Sequence, residues 1–256
     1  MPDPMHFPRL LALGDSAWIV EFGAQVDAQT HAKVMGLARA LTEGRDRGEW
    51  PGIVEWVPAG TTLTVHFDER GLGDAAAEAA PALLQLARSV RPLARPGRRW
   101  TLPVCFDADF GVDLDEVARL RGLTPPQVVQ CMTGAVFRVY MLGFQPGFAY
   151  MGGLPAELEL PRRATPRTAV PERSLAVAGR MCAVYPWRSP GGWHLLGRTP
   201  LALFDAARAD DPAWLRAGDE VRWMAVDRER YEALRRHGAA GAMRRGEWLQ
   251  GPEAVP

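Results

Sequence analysis

Aromatic, glycine and proline residues are concentrated in one stretch of the chain, between Leu142 and Thr199. Its first motif is Gly143-Phe144-Gln145-Pro146-Gly147-Phe148-Ala149-Tyr150. Glycine and proline hold the backbone in unusual conformations, while the rings between them present flat apolar surfaces. Binding residues lie disproportionately on loops held by a rigid scaffold. The motif therefore predicts the rim of a ligand pocket, with a tight β corner that buries Phe144 and Phe148 as the structural alternative.

A second motif, Pro190-Gly191-Gly192-Trp193-His194, adds backbone amides and a histidine. Paired glycines allow a left-handed or closely approaching backbone, whose amide groups hold developing negative charge. The alternative is a Gly-Gly turn that leads into a strand with Trp193 in the core, and both can hold at once. His194 is the candidate catalytic residue, although a single histidine on a strand is more often structural. It is the only one of the five histidines that lies between Leu142 and Thr199, and no Ser or Cys in a nucleophile elbow accompanies it.

Arginines flank both motifs. Arg162 and Arg167 each follow a proline, and Arg198 precedes Thr199. A guanidinium group is a planar fork of donors that suits a carboxylate or phosphate, so the segment predicts a site for a small anionic substrate. The predicted substrate-binding residues are Phe144, Gly147, Phe148, Tyr150, Arg162, Arg167, Tyr185, Gly191, Gly192, Trp193, Arg198 and Thr199.

Composition excludes several classes of protein. The 256 residues carry 30 basic and 30 acidic side chains, and this balance gives no electrostatic footprint for nucleic acid or an anionic membrane. Lys33 is the only lysine, so a Walker-type phosphate loop is excluded. The cysteines Cys105, Cys131 and Cys182 lack disulfide or metal spacing, and the N-terminus lacks the features of a signal peptide. The sequence predicts a cytoplasmic protein that binds no metal.

The pattern of elements predicts an α+β protein of two domains. Strands at 9–13, 17–22, 53–57 and 61–67 and helices at 27–42 and 74–90 indicate an open α/β sheet domain over 1–95. A stretch rich in proline, glycine and arginine at 91–99 marks the boundary. Short strands with glycine and proline turns over 96–237 indicate a closed or sandwiched β-structure, and 238–256 reads as a loosely held tail. Capping boxes are predicted at Asp113 with Glu116 and at Thr124 with Gln127.

The ordered series of motifs resembles the B subunit of 5-oxoprolinase, a family also called allophanate hydrolase subunit 1, which includes a sporulation-kinase inhibitor. The resemblance rests on the Gly-Pro-aromatic run 143–150, the two Pro-Arg steps, the segments 189–193 and 197–201, and the Gly14-Asp15-Ser16 and Gly218-Asp219 steps. It covers nearly the whole chain, and the series is far more specific than any one motif.

The resemblance implies an N-terminal α/β domain followed by a cyclophilin-like β-barrel, related to carboxyltransferase subdomains C and D. It implies a C-type partner similar to allophanate hydrolase subunit 2, and a third subunit, for the ATP-dependent opening of 5-oxo-L-proline to glutamate. ATP and Mg²⁺ would be bound at the level of the complex. Two alternatives follow from the same family. One is a regulatory inhibitor of a histidine kinase, and the other is the carboxyltransferase half of a urea carboxylase-like or allophanate-metabolising complex.

The chain departs from the family pattern at several positions. Arg180-Met181-Cys182 replaces a polar Gly-Gln-Thr step, Met132 stands where relatives often carry His, and Phe137 replaces Tyr. Arg173 occupies a turn position usually given to glycine. Replacing polar side chains by Met and Cys removes hydrogen-bond donors that would orient a substrate.

Overall fold

A computed structural model of the chain describes residues 6–68, 75–93, 97–208, 210–239 and 244–250. Contacts divide the chain into two compact units, Met1–Arg95 and Pro96–Pro256. Both units combine helices with β-sheet, so the predicted α+β class is confirmed.

The first unit is a four-stranded antiparallel sheet with two helices. Alternation of apolar and polar residues along the strands buries Leu63, Val65 and Phe67 on one face, where both helices pack. Asp27 begins the first helix by accepting hydrogen bonds from the amides of Gln29 and Thr30, both at 2.8 Å. The strand order is β1-β2-β4-β3. The elements are β1 (Arg9–Leu13), β2 (Ala17–Glu21), α1 (Ala28–Asp46), β3 (Ile53–Pro58), β4 (Thr62–Phe67) and α2 (Ala75–Ser89).

The second unit contains a seven-stranded sheet, a two-stranded sheet and three helices. Its elements are β5 (Arg99–Val104), α3 (Leu114–Arg121), α4 (Pro125–Gly134), β6 (Phe137–Leu142), β7 (Ala149–Gly152), β8 (Arg167–Val170), β9 (Ser174–Ala178), β10 (Met181–Val184), β11 (Ser189–Gly191), β12 (His194–Arg198), β13 (Glu220–Ala225) and α5 (Arg228–Ala239). The large sheet has the order β12-β9-β10-β7-β6-β13-β5, and β8 pairs with β11 in the small sheet.

A single backbone bridge brings the large sheet close to a closed barrel. The amide of Cys105, just after β5, donates to the carbonyl of Arg198 at the end of β12, and the reverse hydrogen bond is also made, both at 2.9 Å. This bridge joins the ends of the first and last strands of the sheet, β12 and β5, at one point. The barrel interior is filled by apolar side chains from its strands, and α3 and α4 add Val117, Val128 and Met132 to the same core.

A buried carboxylate holds the start of β13. Asp219 accepts hydrogen bonds from the indole Nε1 of Trp100 and from Nη2 of Arg98, both at 2.9 Å. It also accepts from the backbone amides of Arg98 and Arg216 at 3.0 Å. A buried charge is tolerated only when its lone pairs are satisfied in this way. The Gly218-Asp219 step of the sequence therefore has a structural role: it supplies this carboxylate.

The two predicted capping boxes have different outcomes. Thr124 and Gln127 form a capping box at the start of α4, with Pro125 in the first turn, as predicted. The prediction for Asp113 and Glu116 is wrong, because the Asp113 side chain makes no capping hydrogen bond. Its carboxylate is instead drawn to Arg163, Arg167 and the amide of Leu195. Three donors, two of them charged, outcompete one helix amide.

Part of the predicted tail packs against the barrel. Residues Arg245–Trp248 form a 3-10 turn with Trp248 buried, and Leu249 bridges to Trp100. Arg245 donates to Asp211 at 2.8 Å and to neighbouring carbonyl groups. The prediction of a loosely held segment is therefore wrong for residues 244–250, because an indole and a guanidinium group anchor them.

Candidate functional site

Five rings from the predicted site gather in one place, which we call the aromatic cluster: Phe144, Phe148, Tyr150, Tyr185 and Trp193. Phe148 is its centre. The centroid of its ring lies 4.7 Å from that of Tyr150, 5.2 Å from Tyr185, 5.4 Å from Phe144 and 6.0 Å from Trp193, each edge-on. Edge-to-face contacts of this kind are the favoured arrangement of aromatic pairs.

The barrel provides room for the rings on its outer face. Along β9, Leu175 and Val177 belong to the interior core, whereas Ala176 and Ala178 pack against the aromatic cluster. Ala183 does the same from β10. Successive side chains of a strand point to opposite faces, so small alanines on the outer face leave space for large rings above them. The outer face is thus a second, smaller core, and three of its rings are almost fully buried.

The loop between β6 and β7 carries the exposed edge of the cluster. Phe144 has a left-handed backbone with φ 67°, and its side chain is 63% exposed. Gly147 also has a left-handed φ of 81° and lies so close to Phe204 that a Cβ atom would not fit. A bulky residue in the left-handed region costs free energy, and such strain is concentrated at functional sites. An exposed ring on a strained, hydrogen-bonded turn is the feature of this cluster best suited to contact a ligand or partner.

Gly191 is required by the ring of Tyr185. A Cβ atom at Gly191 would collide with the phenol of Tyr185, whereas one at Gly192 would only make ordinary contact with Pro166. Neither glycine has a left-handed backbone. Of the two backbone arrangements that the paired glycines allow, the structure has the close approach, at Gly191.

The phenol of Tyr185 uses a backbone amide from the Gly-Gly motif. Burial raises the pKa of Tyr185, and the hydrogen bond from the amide of Trp193 together with the charge of Arg162 opposes that rise. The carbonyl of Gly192 accepts from the amide of Arg163 at 2.8 Å. That the backbone amides of Gly191 and Gly192 hold developing negative charge stays a prediction.

Arg162 lies on the open side of the cluster. Its side chain is exposed, and its charge acts on the phenols of both Tyr150 and Tyr185. Burial raises the pKa of Tyr150, and Arg162 opposes the rise. A guanidinium group near an exposed ring edge can take the carboxylate of a small ligand.

Arg167 is held by a carboxylate that the sequence did not single out for this role. Its Nη2 lies 2.5 Å from Oδ1 of Asp113, and Nη1 of Arg163 lies 3.0 Å from the same oxygen. The other oxygen of Asp113 accepts from the amide of Leu195 at 2.7 Å. Arg163 follows Arg162 directly, yet the sequence carries no signal that it pairs with a residue 50 positions earlier. Arg167 therefore pairs with Asp113 within the protein, and the same carboxylate holds Arg163 in place.

His194 is buried and engaged. Its Nε2 lies 3.0 Å from the carbonyl oxygen of Pro161, and because a carbonyl only accepts, Nε2 carries the proton. Its Nδ1 is buried, without a hydrogen-bond partner among the described residues. The imidazole links β12 to the segment that carries Arg162.

Two predicted residues lie apart from the aromatic cluster. The guanidinium group of Arg198 sits 4.8 Å above the ring of Phe110 and lines a cavity of about 1140 Å³. Thr199 is fully buried, and its amide donates to the carbonyl of Arg173 at 3.0 Å. The structure therefore divides the three predicted anion-binding arginines among three surroundings, because β12 extends beyond the cluster before it reaches Arg198.

The departures from the family pattern fall mostly in the barrel core. Met132, Phe137 and Cys182 are fully buried among its apolar residues, and burial raises the pKa of the Cys182 thiol. Met181 alone of the group packs against the aromatic cluster, and Arg180 is exposed in the turn before it.

Two further findings concern only the described part of the chain. No group of three or more His, Cys, Asp or Glu residues is placed there to hold a metal ion. Among the helices of the same residues, none combines the length and apolarity needed to cross a membrane.

Comparison with known proteins defines the class of protein first. A family model described as the carboxyltransferase domain, subdomain C and D, matches residues 8–215. The chain belongs to this family. Its curated relatives are named as the B subunit of 5-oxoprolinase. The protein from Bacillus subtilis (strain 168) is 35% identical over 232 residues, which is 87% of this chain and 95% of the relative. The protein from Escherichia coli O157:H7 is 36% identical over 220 residues, 86% of this chain and 97% of the relative.

Solved structures agree on the fold. The crystal structure of TTHA0988 has a TM-score of 0.69 and 35% identity over 82% of this chain, which spans only 40% of that longer protein. The Kluyveromyces lactis urea carboxylase has a TM-score of 0.75 over 95% of this chain, with 19% identity and 24% of its own length covered. At that identity the second likeness concerns the fold alone.

Proposed function

We propose that this chain is the B-type subunit of an ATP-dependent 5-oxoprolinase complex, which opens 5-oxo-L-proline to glutamate together with a C-type partner. The observation that carries the proposal is 35% identity across 87% of this chain and 95% of a relative named as the B subunit of 5-oxoprolinase. The likeness therefore extends over most of this chain and nearly all of the relative. A third subunit, and ATP with Mg²⁺, act at the level of the complex in a reducing cytoplasm.

The chemistry of the aromatic cluster suits this substrate. A lactam ring is small and flat, and the exposed ring of Phe144, supported by Phe148, offers a surface against which it packs. The carboxylate of 5-oxoproline pairs with the exposed guanidinium group of Arg162. Asp113 fixes Arg167 and Arg163 behind it, so that the segment 161–167 presents Arg162 outward.

The same geometry supports a protein that contributes part of an active site. His194 gives the hydrogen on Nε2 to Pro161, so that nitrogen does not act on a nucleophile. The Trp193 amide serves Tyr185. With these groups engaged within the fold, this chain positions and neutralises the substrate, while groups of the C-type partner act on the lactam carbonyl.

Reconstitution tests the proposal. The complex is assembled from this chain, the C-type partner and the third subunit, and release of glutamate from 5-oxoproline is followed with and without this chain. Activity should require all components. Arg162→Gln should raise the KM for 5-oxoproline about 10-fold or more, the expected effect of losing a charge-assisted hydrogen bond. Arg180→Gln, at an arginine whose side chain is 80% exposed, is the matched control. Full activity without this chain would overturn the proposal.

A carboxyltransferase half is the second candidate, favoured by the family model over residues 8–215. In that case the reconstituted complex would transfer a carboxyl group from a biotin carrier on another chain, since Lys33 is the only lysine here. Carboxyl transfer without glutamate release would favour this function over the first.

A further inference from the structure

The cavity near Arg198 is lined by an unusual concentration of arginines. We call it the arginine cavity, after Arg173, Arg198, Arg208, Arg235, Arg244 and Arg245. Its described lining residues include six guanidinium groups and two carboxylates, Glu172 and Asp205. With a volume of about 1140 Å³, it is large enough for a drug-sized or larger ligand.

Not all of this positive charge is neutralised by the protein. Arg245 is committed to Asp211, and Arg173 lies 3.6 Å from Glu172 while donating to the carbonyl of Pro200. Arg198 stacks over Phe110, and its Nε is buried without a hydrogen-bond partner among the described residues. A buried donor without a partner costs free energy, which a bound anion would recover.

Three of the guanidinium groups, those of Arg173, Arg198 and Arg235, line the cavity together with the phenol of Tyr231. Burial raises the pKa of Tyr231, and the charges of Arg198, Arg173 and Arg235 all oppose that rise. All three arginines therefore lie within electrostatic range of the same hydroxyl group at the cavity wall. Like charges repel, so three guanidinium groups that line one cavity favour a ligand with several negative charges.

Arg173 occupies a backbone position that favours glycine. Its φ is 65°, and the turn is fixed by hydrogen bonds from its amide to the carbonyl of Tyr185 at 2.5 Å and from the Thr199 amide to its own carbonyl. An arginine in the left-handed conformation is strained. Glycine would relieve this strain, yet the chain has an arginine here. The side chain of that arginine lines the cavity. Strain of this kind points to a functional side chain.

One wall of the cavity is aromatic. The indole of Trp187 is 44% exposed and packs edge-on against Phe204, with 6.0 Å between ring centroids. Both residues line the cavity. An exposed, supported indole is a stacking surface for a planar ring.

We propose that the arginine cavity binds a nucleoside polyphosphate, with the phosphates between Arg173, Arg198 and Arg235 and the base against Trp187. The inference rests on the proposed function in one respect, since the proposed reaction consumes ATP. The site lies apart from the aromatic cluster and uses no Walker-type loop. The arginine cavity would then be the place where this chain binds the nucleotide that the proposed reaction consumes.

Calorimetric titration of the full-length chain tests the proposal with MgATP, tripolyphosphate and adenosine as probes. ATP and tripolyphosphate should bind, and adenosine should bind at least about 10-fold more weakly, because it lacks the charge-assisted hydrogen bonds of the phosphates. Arg198→Gln and Arg235→Gln should each weaken ATP binding about 10-fold, as expected for one such bond lost. Trp187→Ala should weaken ATP more than tripolyphosphate. Arg180→Gln, outside the cavity, is the control.

Arg173→Gly separates function from folding. It should weaken ATP binding while leaving the thermal midpoint unchanged or higher, because glycine relieves the left-handed strain. No binding of ATP or tripolyphosphate, or ATP binding that is insensitive to all four cavity variants, would overturn the inference. Equal binding of adenosine would overturn it as well.

The reconstituted complex distinguishes this inference from the proposed function. If 5-oxoproline hydrolysis requires this chain but is unaffected by Arg198→Gln and Arg173→Gly, the inference fails and the function stands. If the cavity variants abolish nucleotide binding in a complex that does not act on 5-oxoproline, the function fails and the inference stands.

Discussion

The carboxylate of Asp113 and the guanidinium group of Arg167 form a buried ion pair, with 2.5 Å between Oδ1 and Nη2. The pair joins the start of α3 to β8, although the two residues are 54 positions apart. The Asp113 side chain is 3% exposed and also accepts hydrogen bonds from Arg163 and the Leu195 amide. One carboxylate thus ties three segments of the second unit together around the aromatic cluster.

Asp113→Asn should lower the free energy of unfolding by about 3 kcal/mol, because it leaves two arginines beside a buried group without charge. Urea denaturation of the full chain measures this change. Asp115→Asn, at an exposed position on the same helix, should change stability by less than about 0.5 kcal/mol. Similar losses for the two variants would contradict the assigned role of Asp113.

Gly191→Ala should destabilise the protein by about 1–3 kcal/mol, because the new methyl group would displace the buried ring of Tyr185. Gly192→Ala is the matched control, since its Cβ would lie 3.6 Å from Pro166 in ordinary contact. Thermal unfolding followed by near-ultraviolet circular dichroism measures stability and aromatic packing together. If the control proved the more damaging, the close approach at Gly191 would not be the constraint.

Phe144→Ala should weaken binding of the proposed C-type partner about 10-fold, because an exposed ring on a hydrogen-bonded turn is a typical interface anchor. The free energy of unfolding of the variant should fall by only about 1 kcal/mol, the contribution of one edge-to-face contact with Phe148. Surface plasmon resonance with the immobilised partner gives the dissociation constant. Leu120→Ala, which removes a side chain that is 47% exposed on α3, should leave binding unchanged. Equal effects of the two variants would count against a specific role for Phe144.

Alkaline titration should reveal late ionisation of Tyr150, Tyr185 and Tyr231. Burial raises the pKa values of Tyr150, Tyr185 and Tyr231 above the ordinary value of about 10. The fold therefore favours the neutral phenols. Their contribution to stability is complete below about pH 10 and is lost as the pH rises through the folded-state pKa values. The difference in tyrosine pKa is measured from the absorbance of tyrosinate as a function of pH, recorded for the folded chain and for the chain unfolded in urea. Identical titration curves for folded and unfolded chains would refute the prediction.

The elements of the first unit were largely predictable because their signals are local. Alternating apolar residues and the Asp27 cap predict strands and a helix that the structure contains. The strands β7, β8 and β11 were not predicted. They are three or four residues long, and they exist only through pairing with other strands of the second unit. Local propensity does not specify partners of that kind.

The candidate site likewise has features that the sequence predicted and features that it did not. Ring content and glycine spacing are properties of the sequence, and they predicted the members of the aromatic cluster. The pairing of Arg167 with Asp113 was missed, because a helix start is normally capped by its own aspartate. Arg198, also predicted for this site, lies apart from the cluster because β12 extends beyond the rings before it reaches that residue.

The amino-acid sequence by itself determined the family, the α+β class and the set of residues from which a site can be built, because these depend on residue type and order. Tertiary structure alone decided which of those residues meet. Closure of the barrel through Cys105 and Arg198 sets the rings on one part of the surface and the arginines of the cavity on another. The physical reason is that ion pairs and ring contacts depend on distances in space, and those distances follow from strand pairing across the whole second unit.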